Sequence, residues 1–389
     1  MAVAAHSSSD VVQRARALAP QAAQLAPEGE RARRLPATLV SGMADAGLFS
    51  LCVPASVGGL EASPAVLVEA VEALARGDGA PAWCVAVQAT TGLMGAYLEP
   101  AAAAEVFGAA AIAGGVFAPR GKAVLGGSQL VVNGRWPFAS GCQHCDWLVG
   151  GCVVEEDGAI RTLASGMPDV VLVFAPATDV TIHDTWHVSG LRATGSHDIE
   201  CRDLSVPVER GASVFSSTPV ESGPLYAFPL FGLLALAIAG VSLGIGRGSL
   251  DDLAQLAGAK TPTASARKLG ERATVQAETA RAEARLRAAR ALLHEVVAEA
   301  WEAAVSTGAV SVEHRTALRL AATHAAATGA EVAETAYRLG GGSAIYESSS
   351  LQRRFRDAHV ATQHMLVAPA TWELTGRLLL GLPTDVTQL

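Results

Sequence analysis

The chain has 389 residues, half of them hydrophobic, and a formal charge of −8 at neutral pH, enough to bury a large core in two or three structural units. Lysine and arginine are scattered singly, which leaves no basic stripe for a nucleic-acid backbone and no polybasic patch for a membrane surface. The six cysteines, Cys52, Cys84, Cys142, Cys145, Cys152 and Cys201, read as small buried hydrophobes rather than a disulfide framework.

The first twenty residues, MAVAAHSSSDVVQRARALAP, lack a charged leader followed by an unbroken apolar run, which points to a cytoplasmic protein. Residues 1–112 read as an N-terminal α-helical domain. ERARRLPATLVSGMADAGLF and SPAVLVEAVEALARGDG show helical spacing, and Ser63 before Pro64 is an N-cap signal. The texture changes at Ala113 to short valine-rich runs bounded by Gly, Asn, Asp or Pro, so residues 113–222 are expected to form an antiparallel β-barrel-like domain. Within it Asn133-Gly134 is the signal for a tight hairpin turn. A Ser, Pro and Gly-rich connector, GASVFSSTPVESGPL, leads into residues 223–389, read as a C-terminal four-helix bundle. The uncharged stretch 227–246 is long enough to span a bilayer, yet it suits the centre of such a bundle, where a helix is apolar all round. Farther on, Val275, Ala282, Leu286, Ala289, Leu293, Val296 and Trp301 fall on one helical stripe, with Glu283 and Arg287 paired outside it. The fold class is thus α+β, multidomain, in the order helices, strands, helices.

Three motifs invite chemistry that their context does not support. CQHC (142–145) offers only one cysteine pair and leads straight into a strand, so neither a four-ligand metal site nor a helix-capped redox pair is expected, and no metal is assigned. GIGRGS (244–249) follows a helical run and puts Ser249 where a dinucleotide loop needs its third glycine; its glycines read as helix-packing positions. His359 and His364 are five residues apart, not on one helical face, so they do not pair as ligands.

Several stretches, in chain order, resemble the acyl-CoA dehydrogenase superfamily: VVNGRWPFASG (131–141), GLRATGSHDIECRDLSVP (190–207) and YRLGGGSAIYESSSLQRRFRDAHVATQH (337–364). In many of its dehydrogenases a Tyr-Glu-Gly-Thr phrase after the RDA element carries the base. Here an ungapped match puts Met365 at that place, and Glu347 precedes the element. VFAPRGKAVLGG (116–127) also departs from the dehydrogenase loop. WxFxSG and LQRxFRDxHxxxQH phrases instead resemble the flavin-dependent monooxygenase branch, the oxygenase components of two-component aromatic hydroxylases and N-oxygenases.

That resemblance implies an enzyme that takes reduced FMN or FAD from a separate flavin reductase and O2 as co-substrate. Through a flavin C4a-hydroperoxide it would hydroxylate an aromatic, polyketide-like or amino-bearing small molecule. It implies catalytic roles for Ser140, near flavin N5, and for His364, near C4a, where an imidazole titrating near 6.5 could donate or accept a proton. Trp136 and Phe138 would flank the isoalloxazine, and Arg192 would hold phosphate or ribose. Related hydroxylases carry a further histidine where this chain has WCVAVQATTGLMG; Thr90, Thr91, Gly92 and Gly95 would line a roomier substrate site there. The resemblance also implies a homotetramer. Two other readings stand beside it: an acyl-CoA oxidoreductase with a displaced base, and a non-catalytic binding or assembly subunit.

Overall fold

The computed structural model describes residues 8–213 and 217–389. The leader reading over 1–20 and the connector 211–225 fall partly outside those residues. Among the described residues five α-helices come first: α1 (Ser8–Ala32), α2 (Ala37–Asp45), α3 (Pro64–Ala75), α4 (Gly79–Thr91) and α5 (Pro100–Phe107). Pro64 does open α3 with Ser63 extended before it, although the serine side chain makes no cap bond.

The strands are β1 (Ala113–Gly126), β2 (Gln129–Ala139), β3 (Trp147–Glu156), β4 (Ala159–Ile160), β5 (Val170–Pro176), β6 (Thr181–His183), β7 (His197–Pro207) and β8 (Gly211–Ala212). They form one sheet in the order β6-β7-β2-β1-β3-β5-β8, with β4 beside β3. All pairs are antiparallel except β1 with β3. Because β2 is antiparallel to β1, a strand returning on the other side of β1 must run parallel to it. The loop after β2 therefore crosses the end of β1 before β3 begins, and that loop starts with Ser140.

The expected turn at Asn133-Gly134 is not there. The β1–β2 hairpin turns at Gly127, with φ +63°, and Ser128, while Asn133 lies inside β2 at a break in its register with β7. Its amide grips Asp203 across the strands, donating to Oδ1 at 3.0 Å and accepting from the backbone N–H at 2.9 Å. Gly134 has a different task. Together with Gly121 and Gly150 it makes room for the Trp136 indole, which a Cβ at any of the three would approach to 2.2–2.7 Å. The curled sheet turns residues of β2, β3, β5 and β7 inward, and only about 10 Å³ of free space remains among them, in an apolar lining that offers a water few partners.

The C-terminal helices are α6 (Pro224–Ala227), α7 (Leu230–Ala259), α8 (Ala273–Thr307), α9 (Val312–Gly340), α10 (Ser350–Ala361) and α11 (Ala370–Leu379). The apolar stretch forms the first half of α7, buried against α3, α4, α9 and α10. Its glycines serve helix packing as the sequence suggests: a Cβ at Gly244 would lie 2.4 Å from Glu72 O, and one at Gly329 of α9 would lie 2.3 Å from Ser242 O. The stripe on α8 is buried from Val275 to Val296, with Trp301 half-buried. Glu283 meets Arg287 at 3.3 Å and also Arg247 of α7 at 2.7 Å. One continuous apolar core runs through both helical units and the sheet.

Candidate active site

Two features bend the end of β2 toward the helices. Phe138 adopts φ +71° and Gly141 φ +72°, and the pairing with β7 slips between Trp136 and Ala139. A left-handed phenylalanine is strained, whereas Gly141 is required: a Cβ there would lie 2.3 Å from Gln88 Nε2. Gly141 N–H donates to Thr194 O at 2.8 Å, tying this bend to the 190–196 turn.

Ser140 is buried and sits in a chain of hydroxyls. Trp83 Nε1 of α4 donates to its Oγ at 3.1 Å; Ser140 Oγ lies 2.8 Å from Ser196 Oγ, and Ser196 Oγ lies 2.6 Å from Thr194 Oγ1. Thr194 donates to Leu191 O at 2.8 Å. Each hydroxyl has one proton, so Thr194 can only accept from Ser196, and Ser196 can only accept from Ser140. Ser140 is thereby left with its proton committed and a lone pair to offer.

His364 follows α10 in a tight turn. Its Nδ1 accepts from the Leu366 N–H at 3.3 Å, which places the ring proton on Nε2. Burial, and secondarily the charge of Arg319, push its pKa down to about 4. The expectation of an imidazole titrating near neutrality is therefore corrected: this ring is neutral, with an N–H to donate. It stands edge-on to Trp83, centroids 5.7 Å apart. Trp83 thus joins Ser140 to His364, and sequence reasoning missed it, although it opens the WCVAVQ phrase. Met365, beside His364, is 59% exposed. His359 faces elsewhere, packed on Phe355 with its Nδ1 at 3.0 Å from Phe355 O.

The other expected residues divide. Phe138 is 65% exposed and edge-on to Trp186, an aromatic face open beside Ser140. Arg192 keeps a buried Nε with no partner, a donor awaiting an acceptor. These two and the free lone pair of Ser140 fit a flavin. Trp136 does not, because its ring is sealed inside the sheet with Nε1 donating to Gly151 O at 2.7 Å. The roomy substrate wall is corrected too. The Thr90 and Thr91 hydroxyls bond back to Ala86 O and Val87 O, each at 2.8 Å. The space beside Gly92 and Gly95 is filled, since a Cβ would meet Val53 at 2.5 Å and Pro54 at 2.9 Å. Cys142 and Cys145 are free and buried, and burial pushes the Cys142 thiol up to about 12. Cys145 accepts from Gln88 Nε2 at 3.2 Å, and the same amide reaches Ser140 O at 3.3 Å.

Helix α10 fixes the 190–196 turn from the other side. Asp357 Oδ1 accepts from Leu191 N–H at 2.6 Å, and Gly190 lies so close that a Cβ would reach Arg356 O at 2.4 Å. Asp357 is buried near Asp78, and burial raises their pKa values to about 7 and about 6, opposed by Arg353. A carboxyl raised above its unfolded value of about 3.9 stabilises the fold at low pH, and that stability is lost as pH rises through the folded pKa. His144 and His364, both pushed down to about 4, act oppositely between about pH 4 and 6.5, so the comparison is with a variant at each pH. Relative to Asp357→Asn, the wild-type Tm should fall by roughly 2–4 °C between pH 4 and 8; parallel Tm profiles by calorimetry would refute the assignment.

Comparison with known proteins bears on this geometry. Residues 8–107 match the family model for the acyl-CoA dehydrogenase N-terminal domain, and residues 236–369 that for an acyl-CoA dehydrogenase C-terminal domain. The chain is 32% identical to an indole-3-acetate monooxygenase of Pseudomonas putida, over 91% of this chain and 89% of that one. Among solved structures, the HsaA monooxygenase of M. tuberculosis superposes with a TM-score of 0.89 at 25% identity, covering 99% of this chain and 100% of that one. XiaF from a Streptomyces species, solved with FADH2 and glycerol, gives 0.87 at 27% identity, covering 97% of each chain.

Proposed function

The chain belongs to the acyl-CoA dehydrogenase superfamily, in its flavin-dependent monooxygenase branch, and from that premise we propose how its residues serve the oxygenase component of a two-component system. Reduced flavin, when bound, supplies the electrons that activate O2. Ser140 presents an acceptor suited to the N5–H of a reduced isoalloxazine, Phe138 an aromatic face, and Arg192 a donor for phosphate or ribose. His364 holds its proton on Nε2 and donates it as a hydrogen bond toward the reacting oxygen, while Trp83 and the surrounding core keep water away. The observation that carries this reading is the Ser140–Trp83–His364 connection, which puts an acceptor and a neutral donor on one wall. A base for α-proton abstraction is a poor fit there, with Met365 and Glu347 both exposed.

The substrate in this reading is an aromatic small molecule, as the names of relatives suggest: indole-3-acetate monooxygenase and a resorcinol hydroxylase oxygenase component. The flavin, FMN or FAD, comes from a separate reductase. A cytoplasmic location and a homotetramer go with it; the exposed apolar side chains Trp372, Leu379, Leu380 and Leu382 offer a surface for subunit contact.

The test is a reductase-coupled assay with NADH, FMN or FAD, and indole-3-acetate, indole or resorcinol. An aromatic that is oxygenated should lower the H2O2 released per NADH. Failure to bind either reduced flavin, or anaerobic bleaching of oxidised flavin by an acyl-CoA thioester, would overturn the proposal.

A further inference from the structure

The CQHC phrase, residues 142–145, directly follows the Ser140–Gly141 bend, and its side chains fasten that bend from several directions. The Cys145 thiol donates to Gly141 O at 3.4 Å, and the Cys142 thiol to Gly195 O at 3.5 Å. His144 N–H donates to Gly141 O at 3.0 Å. The His144 ring packs near Phe49, centroids 5.9 Å apart, and its Nε2 lies 3.1 Å from Gln88 Oε1.

Gln88, on α4 and 1% exposed, is where these contacts meet. A glutamine amide has two N–H donors and a carbonyl acceptor, and here all three are used. Nε2 donates to Ser140 O at 3.3 Å and to Cys145 Sγ at 3.2 Å. A backbone carbonyl can only accept, so the amide nitrogen must face Ser140 and the amide oxygen must face His144. That oxygen needs a donor in turn, which puts the His144 ring proton on Nε2. The fit is close: a Cβ at Gly141 would lie 2.3 Å from Gln88 Nε2 and 2.6 Å from His144 Cε1. The same helix reaches the Ser140 hydroxyl through Trp83 Nε1, so α4 grips this serine at both its side chain and its carbonyl. We propose that Gln88, its amide turned by His144, is a positioning residue for the oxygenase reaction, holding the Ser140 carbonyl so that the Ser140 lone pair stays directed at the N5–H of reduced flavin. Released from Gln88, Ser140 would lose its alignment with Trp83 and Ser196, and its hydroxyl could donate to oxidised flavin as readily as accept from the reduced form. The purpose of this latch rests on the oxygenase reading; the latch itself can be tested without it.

The test compares Gln88→Met, His144→Leu and His144→Gln with the wild type, titrating each with oxidised and photoreduced FMN and taking the ratio of the two affinities. Gln88→Met and His144→Leu should each narrow the preference for the reduced form by about two- to tenfold, the worth of one neutral hydrogen bond. His144→Gln keeps an N–H within reach of the Gln88 amide oxygen and should restore most of the preference. The double variant Gln88→Met/His144→Leu should be no worse than Gln88→Met alone. A loss of stability without a positioning role would lower the Tm and weaken both flavin forms alike. An unmoved ratio in either single variant therefore overturns the proposal, as does a His144→Gln no better than His144→Leu. If Gln88→Met does not fold, the two His144 variants carry the test. Failure of the wild type to bind reduced FMN or FAD would sink the oxygenase reading, and the latch is then read without flavin. The Tm losses of Gln88→Met and His144→Leu should combine to less than their sum if the histidine acts through the amide; full additivity would overturn it.

Discussion

Alanine at position 364 should lower product formation by about 10²–10⁴-fold, the range expected for a positioned proton donor, while H2O2 release per NADH rises. Burial holds the ring at a pKa of about 4, so it works as a neutral group through Nε2–H. Two consequences separate this from a histidine that must ionise. The wild-type rate should show no limb attributable to this side chain near 6.5, only an acid limb below about pH 5. Asparagine, which keeps a neutral N–H, should retain more activity than alanine. Product yield and peroxide release measured across pH 4–9 for the three proteins decide the matter; unchanged coupling in His364→Ala would remove the residue from the mechanism.

The second large effect concerns which redox state of flavin is held. Ser140→Ala removes the acceptor and leaves the flavin N5–H without a partner, a loss of about 1–3 kcal/mol, or roughly five- to 150-fold in affinity for reduced flavin; the Trp83 N–H that it also orphans lowers stability with or without flavin. Ser196→Ala should act differently. It releases the Ser140 proton, which can then be donated to the bare N5 of oxidised flavin, so the preference for the reduced form should shrink severalfold through tighter oxidised binding. Titration of both variants with oxidised and photoreduced FMN tests this, and an unchanged oxidised affinity in Ser196→Ala would refute the direction assigned to the hydroxyl chain.

Much of the architecture was written in local pattern. The α8 stripe, the glycines of α7 and the valine-rich runs after Ala113 each depend on neighbours a few residues away, and each is where the sequence placed it. Phe138, Ser140, Arg192 and His364 were singled out by motif resemblance, and the proposed site is built on them. What could not be read was long-range. Trp83 reaches Ser140 and His364 only in the folded chain, and Asn133 abandons its usual turn because Asp203 supplies a partner 70 residues away. Gly92 and Gly95 looked like empty space, yet a missing side chain says nothing about which neighbour occupies the gap, here Val53 and Pro54. The environment of His364 was equally hidden, since desolvation belongs to a place rather than to a residue.

The indole lodged between Gly121, Gly134 and Gly150 has an evolutionary corollary. A β-unit already plugged by its own tryptophan cannot acquire a guest, so new specificities must be written on α4, α7, α9 and the turn after α10. Four positions that have to change together make the plug hard to dismantle one substitution at a time, and lineages would diversify on the helical side while inheriting the strand side intact.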